Sequence, residues 1–210
     1  MKGGAYPGIE SAVSDFSIAR FWRIFKIKYL KNPLGVGHGE SRFAAPDDTA
    51  PQFLTLYAAT SIETAFREAV LRDKMDRATE RKIDDSEIES RACVQIESKR
   101  SLRLLDLTAG AAQRFGVPTS ILHATTDAYR ASRDFALHVH DHTDAEGIFY
   151  PSRFDDSRRC VAIFKSRKAG VKKNGVDAMA PMADAFPLMH HPELVDVLAR
   201  LNVERRPAAR

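Results

Sequence analysis

The chain contains 210 residues, 44% of them hydrophobic, and its 32 Lys and Arg against 28 Asp and Glu give a formal net charge of +4. This length suits one globular domain or at most two small ones, and the composition excludes collagen, a long coiled coil and wholesale disorder. The sequence has no run of ~18 apolar residues that could span a membrane, and its first residues lack the apolar stretch of a secretory signal.

The charge excess is modest. It is far from the dense basic surface of a dedicated nucleic-acid-binding protein, so we expect neither direct nucleic-acid binding nor membrane association. It is compatible with a small anionic substrate or an acidic partner.

The two cysteines, Cys93 and Cys160, lie in apolar stretches without metal-ligand spacing, which favours free thiols in a reducing compartment. We therefore expect a cytoplasmic protein.

The first half of the chain predicts two strands, a long loop and a helix. Apolar alternation predicts a strand over residues 21–29, and the Gly- and Pro-rich stretch 31–52 predicts a loop of a length that is usually functional or disordered. Residues 54–60 predict a second strand. Ser61 is the predicted N-cap of the helix that follows, and Glu68 lies roughly 120° from the centre of its apolar stripe, beside the core.

The second half of the chain predicts a mixture of strands and short helices. The alternating charges between residues 72 and 91 predict a solvated helix end followed by an exposed loop. The remaining predicted elements are strands at 92–97, 102–107, 147–152 and 160–164 and helices at 109–115, 126–139 and 192–201. Strands scattered among few helices, without regular βαβ alternation, predict an α+β fold.

Three histidines, His138, His140 and His142, form the most metal-like string in the chain. His138 and His142 would share one face of a helix, and all three would align on a strand. No Glu-x-x-His or cysteine partner stands at ligand spacing, so we interpret the string as a helix end. A metal-dependent hydrolase or nuclease that uses these histidines stays open as the alternative function. The Gly35–Gly39 run lacks the spacing of a dinucleotide fingerprint.

Six polar residues lie within or beside apolar elements, or in the long loop in the case of Arg42: Arg23, Arg42, Tyr57, Glu68, Ser152 and Arg153. Each one alone is compatible with an ordinary edge or surface position. Their order along the chain, together with the residues around them, favours a shared functional site over separate surface positions.

Five segments, at 22–24 (WRI), 40–43 (ESRF), 56–68 (LYAATSIETAFRE), 102–108 (LRLLDLT) and 147–153 (GIFYPSR), resemble the RES-domain family. The resemblance covers about residues 20–165. It implies one RES-like domain over 1–210 with a C-terminal extension at 166–210, and an ADP-ribosyltransferase-like mixed β core with flanking helices. Members of this family are typically bacterial toxins that consume NAD⁺ and are neutralised by an antitoxin with an Xre-type helix-turn-helix domain.

The resemblance carries the family's functional residues onto this chain. It implies that Arg23, Glu68 and Ser152 are catalytic and that Arg23, Arg42, Tyr57 and Ser152 bind NAD⁺. Ser132, in the preceding predicted helix, competes with Ser152 for the family serine. The loop reads ESRFAAP where a Gly-Arg followed by Asn-Pro is more usual in the family.

These residue types suit cleavage of the nicotinamide–ribose bond, whose transition state resembles an oxocarbenium ion that a carboxylate stabilises. Arginine forks suit the pyrophosphate, and a tyrosine suits the nicotinamide or its ribose. The acceptor of ADP-ribose stays open between phosphate or water and a protein side chain. Phe66-Arg67-Glu68 lacks the second acid of typical protein-modifying transferases, which favours a small acceptor. We expect an antitoxin to cover the active site and no metal to be required.

Overall fold

The structure is a computed structural model that describes residues 6–17, 19–36, 41–46, 51–72, 81–108, 110–124, 129–167 and 174–207. Its strands are β1 Val13–Phe16, β2 Arg20–Lys26, β3 Phe53–Ala59, β4 Arg81–Asp84, β5 Arg91–Ser98, β6 Leu102–Asp106, β7 Gly147–Ser152, β8 Asp155–Ser166, β9 Met179–Pro181, β10 Phe186–Pro187 and β11 Val203–Arg206. Its α-helices are α1 Ile62–Phe66, α2 Asp85–Glu89, α3 Ala111–Arg114, α4 Thr119–Leu122, α5 Tyr129–His142 and α6 Leu194–Arg200.

One mixed sheet organises the fold. Its strands follow the order β1-β6-β7-β8-β3-β2-β5-β10, and β9 also pairs with β5. Strands β6 and β7 are parallel, whereas the other neighbours in this sheet run antiparallel. Strands β4 and β11 form a separate parallel pair. A mixed sheet flanked by helices confirms the predicted α+β class.

Both faces of the sheet are covered by apolar side chains. One cluster contains Ile24, Phe66, Cys160 and Phe164, and a second, on the opposite face, contains Phe21, Phe25 and Val161. Neighbouring residues of β2 and β8 alternate between the two clusters because side chains along a strand point to opposite faces. This alternation decides which polar side chains of the sheet meet.

Helix α1 follows β3 directly and begins where the sequence predicts. Ser61 is its N-cap, with Oγ accepting a hydrogen bond from the Thr64 amide at 3.1 Å. The helix continues as one π-helical turn, Arg67–Leu71, which contains Glu68. The π-turn is a feature that the apolar periodicity did not predict; such turns frequently occur at functional sites.

The described residues 81–91 of the charged stretch do not form the exposed loop that the sequence predicted. Strand β4 and helix α2 occupy its described part, and Ile83 and Ile88 are fully buried. The partner of β4 is β11, more than a hundred residues later in the chain, so local charge alternation carried no sign of the pairing. Residues 73–80 of the predicted loop lie outside the described residues.

Other element boundaries shift by a few residues. Strand β2 ends at Lys26 rather than residue 29 because Lys26 pairs with Arg91, the first residue of β5, and Ile27–Tyr29 form a 3₁₀ turn. Helix α5 extends to His142, beyond the predicted end at 139, and residues 126–128 of that prediction lie outside the described part. Among the described residues, no helix combines the length and apolar character needed to cross a membrane.

The buried carboxylate of Glu63 joins the helix α1 to two distant elements. Its oxygens lie 3.3 Å from Nη2 of Arg67, 3.5 Å from Nη2 of Arg158 in β8 and 2.9 Å from Nε of Arg200 in α6. The Glu63 side chain is only 7% exposed. Burying a carboxylate is costly unless it is paired, so these contacts hold α1 in place between β8 and α6.

We expect Glu63→Ala to lower the free energy of unfolding by about 2 kcal/mol, because it leaves three arginines around an empty position. The loss is smaller than the ~3–5 kcal/mol for breaking a fully buried pair, since Arg158 and Arg200 are 41% and 49% exposed and regain water. Urea unfolding measures the change. The control Glu97→Ala removes the exposed Arg20–Glu97 pair and should cost less than about 1 kcal/mol. Equal losses in the two variants would contradict the role of Glu63.

Candidate active site

A cavity of about 260 Å³ lies between the sheet and the segment formed by α1 and the π-turn. Strands β2, β3, β7 and β8 supply its floor, and the loop 41–46 lines one side. This volume is just below the ~300–1,000 Å³ range of small-molecule sites. Its polar lining is dominated by arginines and tyrosines around one carboxylate, that of Glu68.

Glu68 is the centre of the site. One carboxylate oxygen, Oε1, accepts a hydrogen bond from Ser152 Oγ at 2.7 Å. The other, Oε2, lies 3.9 Å from Nη2 of Arg42. The Glu68 side chain is 22% exposed, so the carboxylate is partly desolvated and still reachable from the cavity. An interaction with developing positive charge is stronger there than in open water.

Arg42 is the most enclosed charged residue of the cavity. Its side chain is 6% exposed, and its guanidinium carbon lies 5.6 Å from the centre of the Tyr150 ring and 5.9 Å from that of Phe43. Among the described residues, Nε and Nη1 of Arg42 find no hydrogen-bond partner. Buried donors are normally paired, so these two N–H groups are available to a ligand in the cavity.

Ser152 ends β7 at a register irregularity in its pairing with β8. The side chain is fully buried, and Oγ also accepts a hydrogen bond from the Phe154 amide at 3.3 Å. Ser132, the competing family serine, is buried in α5 and donates to the Ile121 carbonyl at 3.0 Å. Neither serine lines the cavity itself, and the hydroxyl that hydrogen-bonds to Glu68 is that of Ser152. The structure thus brings Ser152, rather than Ser132, to Glu68.

Tyr57 lines the cavity from β3 and anchors the loop that carries Arg42. Its phenolic oxygen accepts hydrogen bonds from Ser41 Oγ at 3.0 Å and from the Phe43 amide at 2.9 Å. Burial raises the pKa of Tyr57 to about 12, so the phenol stays protonated at physiological pH. Thr55, also on β3, donates to the Phe43 carbonyl at 3.0 Å. The β3 strand therefore holds both neighbours of Arg42, Ser41 through its side chain and Phe43 through its backbone.

The structure does not bring Arg23 together with the other four predicted site residues. Trp22 and Ile24 of β2 line the cavity, so the Arg23 side chain between them points to the opposite face of the sheet. There its Nη2 donates to the Gly35 carbonyl at 2.5 Å, and its guanidinium lies over Phe25. Burial lowers the pKa of Arg23 to about 10. Arg23 is in a position to support the fold rather than to contact a ligand in this cavity.

Sequence reasoning missed several residues of the cavity. Tyr150 and Cys160 lie beside Glu68 on the floor, and burial raises the pKa of both groups well above the usual range. Arg72 and Arg91 also line the cavity, although both belong to the stretch that was interpreted as solvated. The alternation of β5 was the available signal, because Arg91 shares a face with the buried Cys93.

The three histidines do not converge on one point. His140 is buried, stacked on Phe53 with ring centroids 4.7 Å apart, so it is not part of a solvated helix end. His138 and His142 stack on each other at 4.5 Å. In the ranges that the structure describes, no three His, Cys, Asp or Glu side chains are grouped as metal ligands would be. Nothing in the geometry favours the metal-dependent hydrolase.

Comparisons with known proteins bear on the family and the fold of the chain. The family model described as "RES domain" matches residues 20–185. No curated protein gives a significant match. Among solved structures, the chain is similar to one in the crystal structure of the M. tuberculosis MbcT–MbcA toxin–antitoxin complex, with 13% sequence identity and a TM-score of 0.53. The alignment covers 85% of this chain and 88% of that chain. At this identity the likeness shows a shared fold.

We expect Tyr57→Phe to destabilise the loop around Arg42 more than it destabilises the sheet. The Phe43 amide loses its acceptor in a buried setting, which costs about 1–3 kcal/mol. Urea unfolding measures the global loss, and hydrogen exchange at the Phe43 amide measures the local one. Protection of the Phe43 amide equal to that in the wild type would contradict the anchoring role of Tyr57.

Proposed function

Since the chain belongs to the RES domain family, we propose that it is an enzyme that cleaves the nicotinamide–ribose bond of NAD⁺ and acts as the toxin of a toxin–antitoxin pair. The observation that supports this most is that Arg42 and the buried Ser152 both meet the carboxylate of Glu68, which lines the cavity together with Arg42. The resemblance implied that Arg23 is the catalytic arginine; because Arg23 points to the opposite face of the sheet, we propose Arg42 as the arginine that acts beside Glu68.

Glu68 is the proposed catalytic residue. Loss of nicotinamide, a cationic leaving group, leaves positive charge on the ribose ring, and a nearby carboxylate stabilises that charge as it develops. Ser152 donates a hydrogen bond to Oε1 and so fixes the direction of the carboxylate, while Oε2 stays closer to the cavity arginine. Because Ser152 is fully buried and acts through Glu68, it is a positioning residue.

Arg42 and Tyr57 are the proposed binding residues at the nicotinamide end. Arg42 offers two buried N–H groups without a partner among the described residues, which suit a phosphate or a carboxamide oxygen. Tyr57 lines the same wall and holds the backbone of Phe43. A cavity of about 260 Å³ accommodates the nicotinamide and its ribose, and the remainder of the dinucleotide extends toward the entrance.

The acceptor of ADP-ribose is proposed to be water or phosphate. Position 66, two residues before Glu68, holds Phe66, which is fully buried in the core. The helix therefore presents no second carboxylate at the spacing of typical protein-modifying transferases. A protein side chain remains the other acceptor class, distinguished by labelled NAD⁺ in a cell lysate, where transfer to protein yields a discrete labelled band.

The partner is proposed to be a cognate antitoxin with an Xre-type helix-turn-helix domain that covers the cavity entrance. The support is the similarity to a chain of the MbcT–MbcA toxin–antitoxin complex, at a TM-score of 0.53. The two proteins would act in the cytoplasm, where NAD⁺ is available. We further propose that residues 1–210 form a single domain, since α6 and β11 contribute Leu198 and Val203 to the same apolar cluster as Phe66.

Purified protein should release nicotinamide from NAD⁺, and Glu68→Gln should lower kcat by about 100-fold or more, because the carboxylate charge is lost. Chromatography of nicotinamide measures the rate. Ser152→Ala should lower kcat by about tenfold, through loss of one hydrogen bond to a charged group. The controls are Glu97→Gln, which makes the same chemical change on an exposed pair, and Ser132→Ala, which removes the other candidate serine. Release by Glu68→Gln at the wild-type rate would contradict the proposal.

Induced expression of the chain in a bacterial host should arrest growth and lower cellular NAD⁺, whereas Glu68→Gln at equal abundance should permit growth. The toxin role requires the chemistry, so both effects should depend on the same carboxylate. Growth curves with a cellular NAD⁺ assay make the measurement. Growth arrest by the Glu68→Gln variant with NAD⁺ unchanged would point to toxicity by binding instead.

A further inference from the structure

Three arginines that line the cavity, Arg72, Arg91 and Arg153, are not used by the chemistry proposed above. Arg72 and Arg91 form a pair, since the charge of Arg72 acts on Arg91. Arg72 follows the π-turn, four residues after Glu68, and is exposed. Arg91 is the first residue of β5 and is half-buried. Both line the same cavity as Glu68. Because Arg42 is 6% exposed and lies against Glu68, the more exposed Arg72 and Arg91 belong to the outer part of this cavity.

The surroundings of Arg91 leave part of its guanidinium available. In the described part of the chain, its buried Nε has no hydrogen-bond partner. The pKa of Arg91 is lowered first by burial and then by the like charge of Arg72, and Glu87 opposes this shift. The positive charges of Arg72 and Arg91 thus lie near each other at the cavity, and Nε of Arg91 is a donor without a partner among the described residues. A bound anion would relieve both costs.

The backbone of Arg72 supports the same interpretation. Its φ of 28° and ψ of −116° lie in a region that residues other than glycine rarely adopt. Such strained residues persist where the surrounding structure fixes them, and they cluster at binding sites. Here the strained residue ends the π-turn that positions Glu68 and directs its side chain to the cavity lining.

The other arginines considered are placed differently from this pair, and Arg153 has its guanidinium carbon 4.3 Å from the centre of the Phe154 ring. Arg23 points to the opposite face of the sheet, and Arg42 lies deep in the cavity beside Glu68. A dinucleotide whose nicotinamide ribose sits at Glu68 must carry its two phosphates toward the entrance, where a planar guanidinium fork matches their oxygens. We propose that Arg72 and Arg91 form the subsite for the diphosphate of the substrate. This proposal takes NAD⁺ as the substrate and so rests on the proposed function.

The test uses ADP-ribose as the probe and the only tryptophan of the chain, Trp22, as the reporter, since Trp22 lines the cavity. Calorimetry provides a second measurement of the same Kd. Arg72→Gln and Arg91→Gln should each raise the Kd for ADP-ribose by about tenfold or more, because each removes a charge-assisted contact. Arg91→Lys should fall between wild type and Arg91→Gln, since it keeps the charge but loses the fork.

Arg103→Gln is the matched control. It removes the same charge from β6, outside the cavity lining. There Nη1 of Arg103 lies 2.6 Å from a carboxylate oxygen of Asp144. This variant should bind ADP-ribose as the wild type does. Circular dichroism verifies that each variant is folded, and Arg72→Gln, which alters an exposed side chain, keeps the test valid if Arg91→Gln does not fold.

A second assay separates this proposal from the proposed function. Nicotinamide riboside lacks the diphosphate, so Arg72→Gln and Arg91→Gln should raise KM for NAD⁺ while leaving kcat/KM for nicotinamide riboside unchanged. An unchanged Kd for ADP-ribose in both variants, or no ADP-ribose binding by the wild type, would overturn the subsite. If ADP-ribose binding depends on both arginines but no nicotinamide is released from NAD⁺, the subsite stands and the proposed reaction fails.

Discussion

The carboxylate of Glu68 is the constraint on which the site depends. Its side chain is only 22% exposed, and a partly buried ionised group is costly unless hydrogen bonds and opposite charge compensate for the lost water. Ser152 supplies the hydrogen bond at 2.7 Å and Arg42 the charge at 3.9 Å. These partners come from a loop and from the end of β7, so the carboxylate fixes three segments that are far apart in sequence. The same partial desolvation makes it effective toward a developing cation.

The scaffold around this carboxylate is built to keep it in place. Helix α1 carries a second carboxylate, Glu63, one turn and a half before Glu68, and three arginines neutralise it. Tyr57 and Thr55 of β3 hold the backbone of Phe43 and therefore the loop of Arg42. Helix α1 and its π-turn thus carry two glutamates with different surroundings. Glu63 is paired with arginines and stabilises the fold, whereas Glu68 is paired and still lines the cavity. Rigid support of this kind is what a preorganised catalytic group requires.

The sequence predicted those elements that depend on interactions between residues close together in the chain. The Ser61 cap, β3, β7 and the α+β class follow from side chains close together in sequence. Of the five site residues implied by the resemblance, Arg42, Tyr57 and Glu68 line one cavity, and Ser152 hydrogen-bonds to Glu68 from behind the lining. In a strand, neighbouring side chains such as Trp22 and Arg23 point to opposite faces of the sheet. Which face carries the cavity depends on the packing of α1 over the Trp22 face, and the strand pattern contains no sign of that packing. Strand β4 depends on β11 from the far end of the chain, and no local pattern contains that pairing.

The central claim is that this cavity breaks the bond between nicotinamide and ribose. Mass spectrometry of the small-molecule products, after incubation of the pure protein with NAD⁺ in the presence and absence of phosphate, tests it most directly. The account predicts free nicotinamide together with an ADP-ribose species, either unmodified or carrying one added phosphate. Intact NAD⁺ after prolonged incubation with folded protein that binds ADP-ribose would contradict it.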